Sequence, residues 1–266
     1  MKKAVEIIRN IEQNKKNLEF MPTGFTRLDY ELDGGFLKRE LIIIGAFTGI
    51  GKSMMGGQIM YQIATKGFKC AYFSLEISNE MIVSRLIGQI SNIKPTRIVA
   101  DTIELEEIDD KAKAQAKVTM FNEFMDFYDD LYLLGELVDS IKKNKYEFVV
   151  IDFIQNVQLG NNMDEYARLT FISIQLQKIA KETNCCILIL SQVSNRVNRE
   201  GVKNVEYKGS GAIAMIADLG FMLQRDETII DGRQRVKMNL LKNRRGISGL
   251  EFNFEFHLPG GLITEI

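Results

Sequence analysis

Leu41-Ile-Ile-Ile-Gly-Ala-Phe-Thr-Gly-Ile-Gly-Lys-Ser53 joins an apolar strand to a glycine-rich turn that closes on Lys-Ser. A chain builds a cradle for nucleotide phosphates in this way. Gly49 and Gly51 let backbone N–H groups converge on phosphate oxygens, Lys52 supplies a point charge, and Ser53 offers a hydroxyl to Mg2+. The helical pattern from Ser53 to Lys66, closed by Gly67, adds its N-terminal dipole. The cradle so read comprises Ala46, Phe47, Thr48, Gly49, Ile50, Gly51, Lys52, Ser53 and Met54. The strict pattern asks for glycine where Ala46 stands, and Gly45 is one residue too early for that slot; alanine is small enough for the loop to survive. A nucleotide with Mg2+ is the expected ligand pair.

Around this stretch the chain alternates apolar strands with helical patterns, which predicts an α/β fold with a mostly parallel sheet covered on both faces. Strands are expected at Leu41–Gly45, Lys69–Leu75, Phe148–Asp152, Cys186–Ser191 and Gly220–Gln224. Helices are expected at Ser53–Lys66, Asn79–Ser91, Glu104–Asp126, Leu137–Lys143 and Tyr166–Thr183. Arg235–Leu241 and Leu250–Phe256 alternate as antiparallel strands at the C-terminal end. Before the domain, Ala4, Ile7, Ile8 and Ile11 recur at helical spacing between Lys3 and Asn14, an amphipathic helix that packs either on its own core or on another subunit. The division is residues 1–20 as that linker helix and 21–266 as the catalytic domain.

At 266 residues, 45% hydrophobic and 26% charged, the composition suits one large domain with an ample core. No apolar run approaches a membrane span and the N-terminus lacks a signal peptide's pattern, so a cytoplasmic protein without membrane association is expected. A net charge of −1 gives no global basic footprint, which leaves a few basic loops as the route to a phosphate backbone. Cys185 and Cys186 sit in an apolar run and read as strand core, and the single histidine, His257, reads as a strand residue.

Three further strands end in polar residues that suit phosphoryl chemistry. Phe148-Val-Val-Ile-Asp152 ends in an acid able to reach Mg2+ through its water shell. Tyr72-Phe-Ser-Leu-Glu76 ends in a second acid, read as the base that polarises water, or as an idle neighbour of Ser78 capping the next helix. Leu188-Ile-Leu-Ser-Gln192 ends in an amide able to sense the γ-phosphate. The loop after it, Val193 to Gly209, holds Arg196, Arg199, Lys203 and Lys208 and is either a phosphate-backbone contact or a solvated loop. Lys242-Asn-Arg-Arg-Gly246 puts three cations in a turn that suits an arginine finger, acting in cis or in trans.

In this order the segments resemble the ATPase domain of DnaB-type replicative DNA helicases, a branch of the RecA-like P-loop superfamily. Pro22-Thr-Gly-Phe-Thr-Arg-Leu-Asp29 resembles the family's domain opening, Ala46–Ser53 its phosphate loop, Ser74-Leu-Glu76 its catalytic-glutamate strand and Ile151-Asp-Phe-Ile-Gln155 its metal-acid motif. Leu190-Ser-Gln192 resembles the sensor, Lys208-Gly-Ser-Gly-Ala212 through Arg225-Asp-Glu227 the DNA-loop motif and following strand, and Lys242-Asn-Arg244 the Lys-x-Arg finger. The resemblance implies a homo-hexameric ring that hydrolyses ATP between subunits, threads single-stranded DNA at forks and unwinds duplex, in a bacterial cell or phage-infected host. It implies Glu76 as base, Lys52 and Ser53 on phosphate and metal, Asp152 on the Mg2+ shell, and Gln192 as sensor. Lys242 and Arg244 then reach the neighbour's γ-phosphate, and Lys208, Gly209 and Gly211 touch DNA phosphates. It further implies a linker helix docked on the adjacent subunit, and a helicase loader or primase as partner. The family usually carries a sizeable N-terminal domain that meets primase; only residues 1–20 precede the match, which reads as a reduced homologue or a trimmed form. The family often has Arg-Glu where Lys208-Gly209 stand. Two other readings stay open: another RecA/KaiC-like ATPase that binds DNA without unwinding it, and a nucleotide-binding regulatory ring with little turnover.

Overall fold

The computed structural model describes residues 3–13, 19–160, 163–193 and 215–266. The chain enters through α1 (Ala4–Gln13) and then makes a small antiparallel pair of β1 (Phe20–Met21) and β2 (Phe36–Leu37) around the short α2 (Thr26–Glu31). Asp29 explains the Pro22–Asp29 motif. Its carboxylate accepts the Thr23 and Gly24 N–H groups and the Thr23 hydroxyl, folding the opening onto its own helix. Glu265, the last residue of the final strand, accepts the Arg27 and Leu28 N–H groups at the start of α2, which ties both ends of the domain together.

The main body then runs β3 (Leu41–Ala46), α3 (Lys52–Ala64), β4 (Cys70–Ser74), α4 (Asn79–Ser91), α5 (Pro95–Val99), α6 (Ile108–Thr119), β5 (Met125–Tyr128), α7 (Leu134–Asn144), β6 (Phe148–Asp152), α8 (Glu165–Thr183) and β7 (Cys186–Gln192). It closes with β8 (Leu219–Ile230), β9 (Arg233–Asn243), β10 (Leu250–His257) and β11 (Leu262–Glu265). Among the described residues these strands form one nine-stranded sheet in the order β11-β10-β9-β8-β3-β7-β6-β4-β5. From β8 to β5 every neighbouring pair is parallel, and β8 to β11 are antiparallel, as the alternation of the sequence predicts.

The central strands read as unbroken apolar runs because both of their faces are covered. Ile42 and Ile44 of β3 enter one core with Met55, Ile59 and Met60 of α3 and Ile82 and Leu86 of α4. Leu41 and Ile43 enter the other with Leu137 and Ile141 of α7 and Leu169, Ile172 and Leu176 of α8. All three cysteines are free and buried, and burial pushes their thiols up in pKa, which makes them inert core residues. His257 lies in β10, its Nε2 2.7 Å from the Thr264 hydroxyl.

The structure corrects the expected helix at Glu104–Asp126. A 3-10 turn at Leu105–Glu107 leads into α6, which stops at Thr119; Met125 then starts the edge strand β5. Arg97 draws Glu104 and Glu107 together at this entrance, so the acids there are a paired helix start. The strands β8 and β9 run past their predicted ends, β8 to Ile230 and β9 from Arg233 to Asn243. In α1, Val5 and Ile8 are more than half exposed, so these two apolar residues are not taken into the core of their own chain.

Candidate nucleotide site

The sheet order places the ends of β3, β7, β6 and β4 side by side, and each end carries one of the predicted residues. Ala46 pairs with Gln192, Leu190 with Asp152, and Asp152 with Ser74, two residues before Glu76. Ligands of parallel sheets bind along this carboxyl edge. Ala46 ends β3 as an ordinary buried strand residue whose carbonyl accepts the Val193 N–H, so no glycine is needed there. The two glycines assigned to the loop have left-handed φ angles, 79° at Gly49 and 103° at Gly51. Gly51 is doubly constrained, because a Cβ there would fall 2.2 Å from the Phe256 ring. Phe47 is half-buried, Thr48 and Gly49 are exposed, Ile50 is buried, and α3 begins at Lys52 with Ser53 and Met54 in its first turn.

Lys52 is buried, and among the described residues no carboxylate lies within ion-pair distance of it. Burial lowers its pKa, while Asp152 first and Glu76 second act to raise it, which brings the three predicted residues into one electrostatic cluster. Asp152 is fully buried: the Tyr72 hydroxyl donates to its Oδ2 at 2.7 Å, and its Oδ1 has no hydrogen-bond partner among the described residues. A buried carboxylate oxygen left open, on a residue whose Tyr72 partner also reaches the Ser53 carbonyl, is a donor suited to a hydrated Mg2+, which takes one or two carboxylates and keeps several waters. Glu76 is exposed at the edge. Ser78 sits at the cap position of α4 without making a capping hydrogen bond; the Asn79 N–H is taken by Asp129 from the loop after β5. Helix capping therefore does not account for this segment in the way the sequence alone allows.

The turn after β6 braces the site. Asn156 donates to the Leu75 carbonyl next to Glu76, while Gln155 donates to the Ser191 hydroxyl and the Gln192 carbonyl. Gln192 in turn donates its amide to the Thr48 hydroxyl of the phosphate loop. The sequence reading places Thr48 in the phosphate cradle and Gln155 in the metal-acid motif, and gives no role of their own to Tyr72 or Asn156. The signal available for Tyr72 is a phenol in an otherwise apolar interior strand.

Lys242 and Arg244 lie elsewhere. Lys242 pairs with Gly220 and Gly220 with Ile43, and the Arg244 N–H bonds to Asp218, whose own N–H bonds to Leu41. Arg244 is thus level with the first residue of β3, roughly 16 Å along the strand from Ala46 at ~3.3 Å per residue. Its guanidinium pairs with Asp218 at 3.1 Å and is about half exposed. Lys242 donates to the Met215 carbonyl, and burial followed by Arg244 lowers its pKa. The third cation of the turn is an internal residue: Arg245 donates to the Leu32 and Gly35 carbonyls and stands 3.0 Å from Glu40. Lys208, Gly209 and Gly211, with Arg196, Arg199 and Lys203, lie outside the described residues. A groove of about 630 Å3 between α7 and α8, lined in part by Leu133, Phe171 and Gln175, contains none of the phosphate-loop residues. Among the described residues no helix is long and apolar enough to cross a membrane.

The family model for the DnaB-like helicase C terminal domain matches residues 21–258. The chain is 28% identical over 262 residues to the replicative DNA helicase DnaB of Treponema pallidum, a match covering 94% of this chain and 59% of that protein. It therefore spans about three-fifths of that relative's length. Solved structures share the fold, two of which cover 98% of this chain. One, described as an ATPase domain, superposes with a TM-score of 0.85 at 22% identity, covering 98% of this chain and 96% of that one. A DnaB-like replicative helicase described with its interactions with primase gives 0.82 at 22% identity, covering 98% and 65%.

Proposed function

The chain belongs to the family of DnaB-like helicase C-terminal domains, and from that premise we propose that it is the ATP-hydrolysing motor of a replicative DNA helicase, a homo-hexameric ring that moves along single-stranded DNA and unwinds duplex. The observation that carries the reading is the division of the predicted machinery between two edges of one sheet. Lys52, Glu76, Asp152 and Gln192 share the carboxyl edge, while Arg244 is level with Leu41 at the other. An arginine side chain does not span that gap within its own chain, so a finger at Arg244 serves a neighbouring subunit, as rings of such ATPases do.

In this reading the loop N–H groups of residues 47–53 and Lys52 hold the β- and γ-phosphates of ATP. The burial that disfavours the Lys52 charge is offset when phosphate arrives. Ser53 and Asp152 would hold Mg2+, which supplies neutralisation of charge on the β- and γ-oxygens. Glu76 orients the attacking water and takes its proton; Gln192 senses the γ-phosphate and passes that state into the chain that follows β7. Lys208, Gly209 and Gly211 grip DNA phosphates without reading bases. Residues 1–20 serve as a linker whose apolar side docks on the adjacent subunit, a reading supported by the exposure of Val5 and Ile8. Residues 21–266 are the motor, working in the cytoplasm with a helicase loader or primase; interaction with primase is in the printed description of one structural relative.

Steady-state ATP hydrolysis with and without single-stranded DNA, recorded beside molecular mass by light scattering, tests this. DNA-stimulated turnover in a six-subunit species is the expected result. Turnover that ignores DNA in every assembly state would instead make the chain a RecA/KaiC-like ATPase with another partner.

A further inference from the structure

Tyr72 occupies the middle of β4, an interior strand with both faces covered, where the residues around it are Cys70, Ala71 and Phe73. Its side chain is completely buried beside α3, and the ring lies against Phe127 with centroids 6.5 Å apart. A phenol in such a place needs a partner for its hydroxyl. The partner is Asp152, 80 residues away, whose Oδ2 accepts at 2.7 Å; the Ser53 carbonyl lies at 3.4 Å, a weaker contact for the same single proton. One hydroxyl therefore touches the strand that carries the acid and the helix turn that carries the metal-facing serine.

The two oxygens of Asp152 are thereby made unequal. Oδ2 is occupied by the phenol, while Oδ1 is buried and has no partner among the described residues. The terminal torsion of an aspartate is only loosely set by packing, so a hydrogen bond to one oxygen fixes which way the other faces, and an apolar residue at position 72 would supply none. Groups that hold a ligating carboxylate in place fix its orientation and its affinity for the ion.

We propose that Tyr72 is a positioning residue of the nucleotide site, its hydroxyl holding the Asp152 carboxylate so that Oδ1 faces the water shell of the nucleotide-bound Mg2+. This rests on the reading of Asp152 as the metal-facing acid. The competing account is that Tyr72 only fills the core beneath α3. The two differ in what the hydroxyl does. A core role makes its loss weaken the fold, and nucleotide binding with it, whether or not metal is present. A positioning role makes its loss felt only through the metal and only through Asp152.

The test uses the full chain and its Tyr72→Phe, Asp152→Asn and doubly substituted forms. Binding of a fluorescent ATP analogue is titrated in EDTA and at rising Mg2+, with Mn2+ bound to the same complexes followed by electron paramagnetic resonance. Tyr72→Phe is expected to leave affinity in EDTA within about twofold and to raise the metal concentration for half-saturation about 10- to 100-fold. Against Asp152→Asn the same change should add less than about twofold, as coupling through one partner requires. An unchanged metal requirement, an equal loss of affinity with and without metal, or a full additional effect in the doubly substituted form would each overturn the proposal while leaving the nucleotide site standing. Wild-type binding that ignores Mg2+ would remove the role of Asp152 and this proposal with it. As a check independent of whether Tyr72→Phe folds, 3-fluorotyrosine placed at position 72 should show a fluorine shift when Mg2+ joins the nucleotide complex; a signal that does not move overturns the assignment.

Discussion

Arg244 and Lys52 stand at opposite edges of the same sheet, the one level with Leu41 and the other opening the helix that follows Ala46. Hydrolysis that uses both therefore needs two chains. Arg244→Ala should lower turnover by about 10³-fold or more, as loss of an arginine finger does. Lys52→Met should be equally inactive. Mixing the two dead variants in equal amounts should restore activity, because a ring then contains interfaces with one intact phosphate loop facing one intact finger. Random assembly makes about a quarter of the interfaces of that kind in a closed ring. A mixture as inactive as its parts would place the finger in cis or remove Arg244 from catalysis.

Glu76 is exposed at the carboxyl edge, and Asn156 holds the carbonyl of the residue before it. Glu76→Gln keeps the shape and removes the base. Single-turnover and steady-state hydrolysis should both fall by about 10²- to 10⁴-fold while affinity for ATP stays unchanged. Hydrolysis at the wild-type rate would return Glu76 to a bystander role.

Lys52 illustrates a cost of function that is measurable without any assay of turnover. Burial lowers its pKa from 10.5, with Asp152 and Glu76 opposing only in part. A lysine whose folded pKa lies below its unfolded value destabilises the fold wherever both states are protonated. That penalty fades as pH rises from the folded pKa towards 10.5. Lys52→Met should accordingly melt higher than wild type near neutral pH, by about 2–4 °C for each ~1 kcal/mol of penalty removed. The gap should narrow in alkali. MgATP should raise the melting point of the wild type and leave that of the variant where it was. A variant that melts lower than wild type at every pH would mean that the charge is already compensated within the protein.

The parts of the fold legible in sequence are those where burial on both faces leaves an uninterrupted apolar run, as in Leu41–Ala46 and Phe148–Asp152, with the functional residue at or just beyond its end. The edges were not legible. Met125–Tyr128 is mostly half-buried and contains Asp126, so it continues the polar pattern of the helix before it. Thr26–Glu31 and Leu262–Glu265 are too short to show a period at all. Side-chain partnerships were hidden for another reason. Tyr72 meets Asp152, and Gln58 exchanges two hydrogen bonds with the backbone of Ile263, across 80 and 205 residues, and nothing local announces either pair. The turn at Lys242–Gly246 looks like three equivalent cations. Only packing separates Arg245, which is turned towards Leu32, Gly35 and Glu40, from Arg244, which meets Asp218 near the surface.

The contact between Gln192 and Thr48 joins the end of β7 to the phosphate loop through one hydrogen bond, and Gln155 donates to the Gln192 carbonyl at the same strand end. On the proposed reading, a γ-phosphate reaching the loop would compete with Thr48 for the Gln192 amide, and the strand end that leads towards Lys208 would report which of the two holds it. Removing the hydroxyl removes one competitor. Thr48→Val should raise hydrolysis in the absence of DNA by about fivefold, the equivalent of one ordinary hydrogen bond of about 1 kcal/mol, and so shrink the stimulation by single-stranded DNA. Gln192→Ala should keep ATP affinity and lose the stimulation altogether, because no amide is left to carry the signal. ATP hydrolysis rates at saturating nucleotide, with and without single-stranded DNA, separate the two variants. If both retain the wild-type ratio of stimulated to basal rate, communication between nucleotide and DNA runs through some element other than the end of β7.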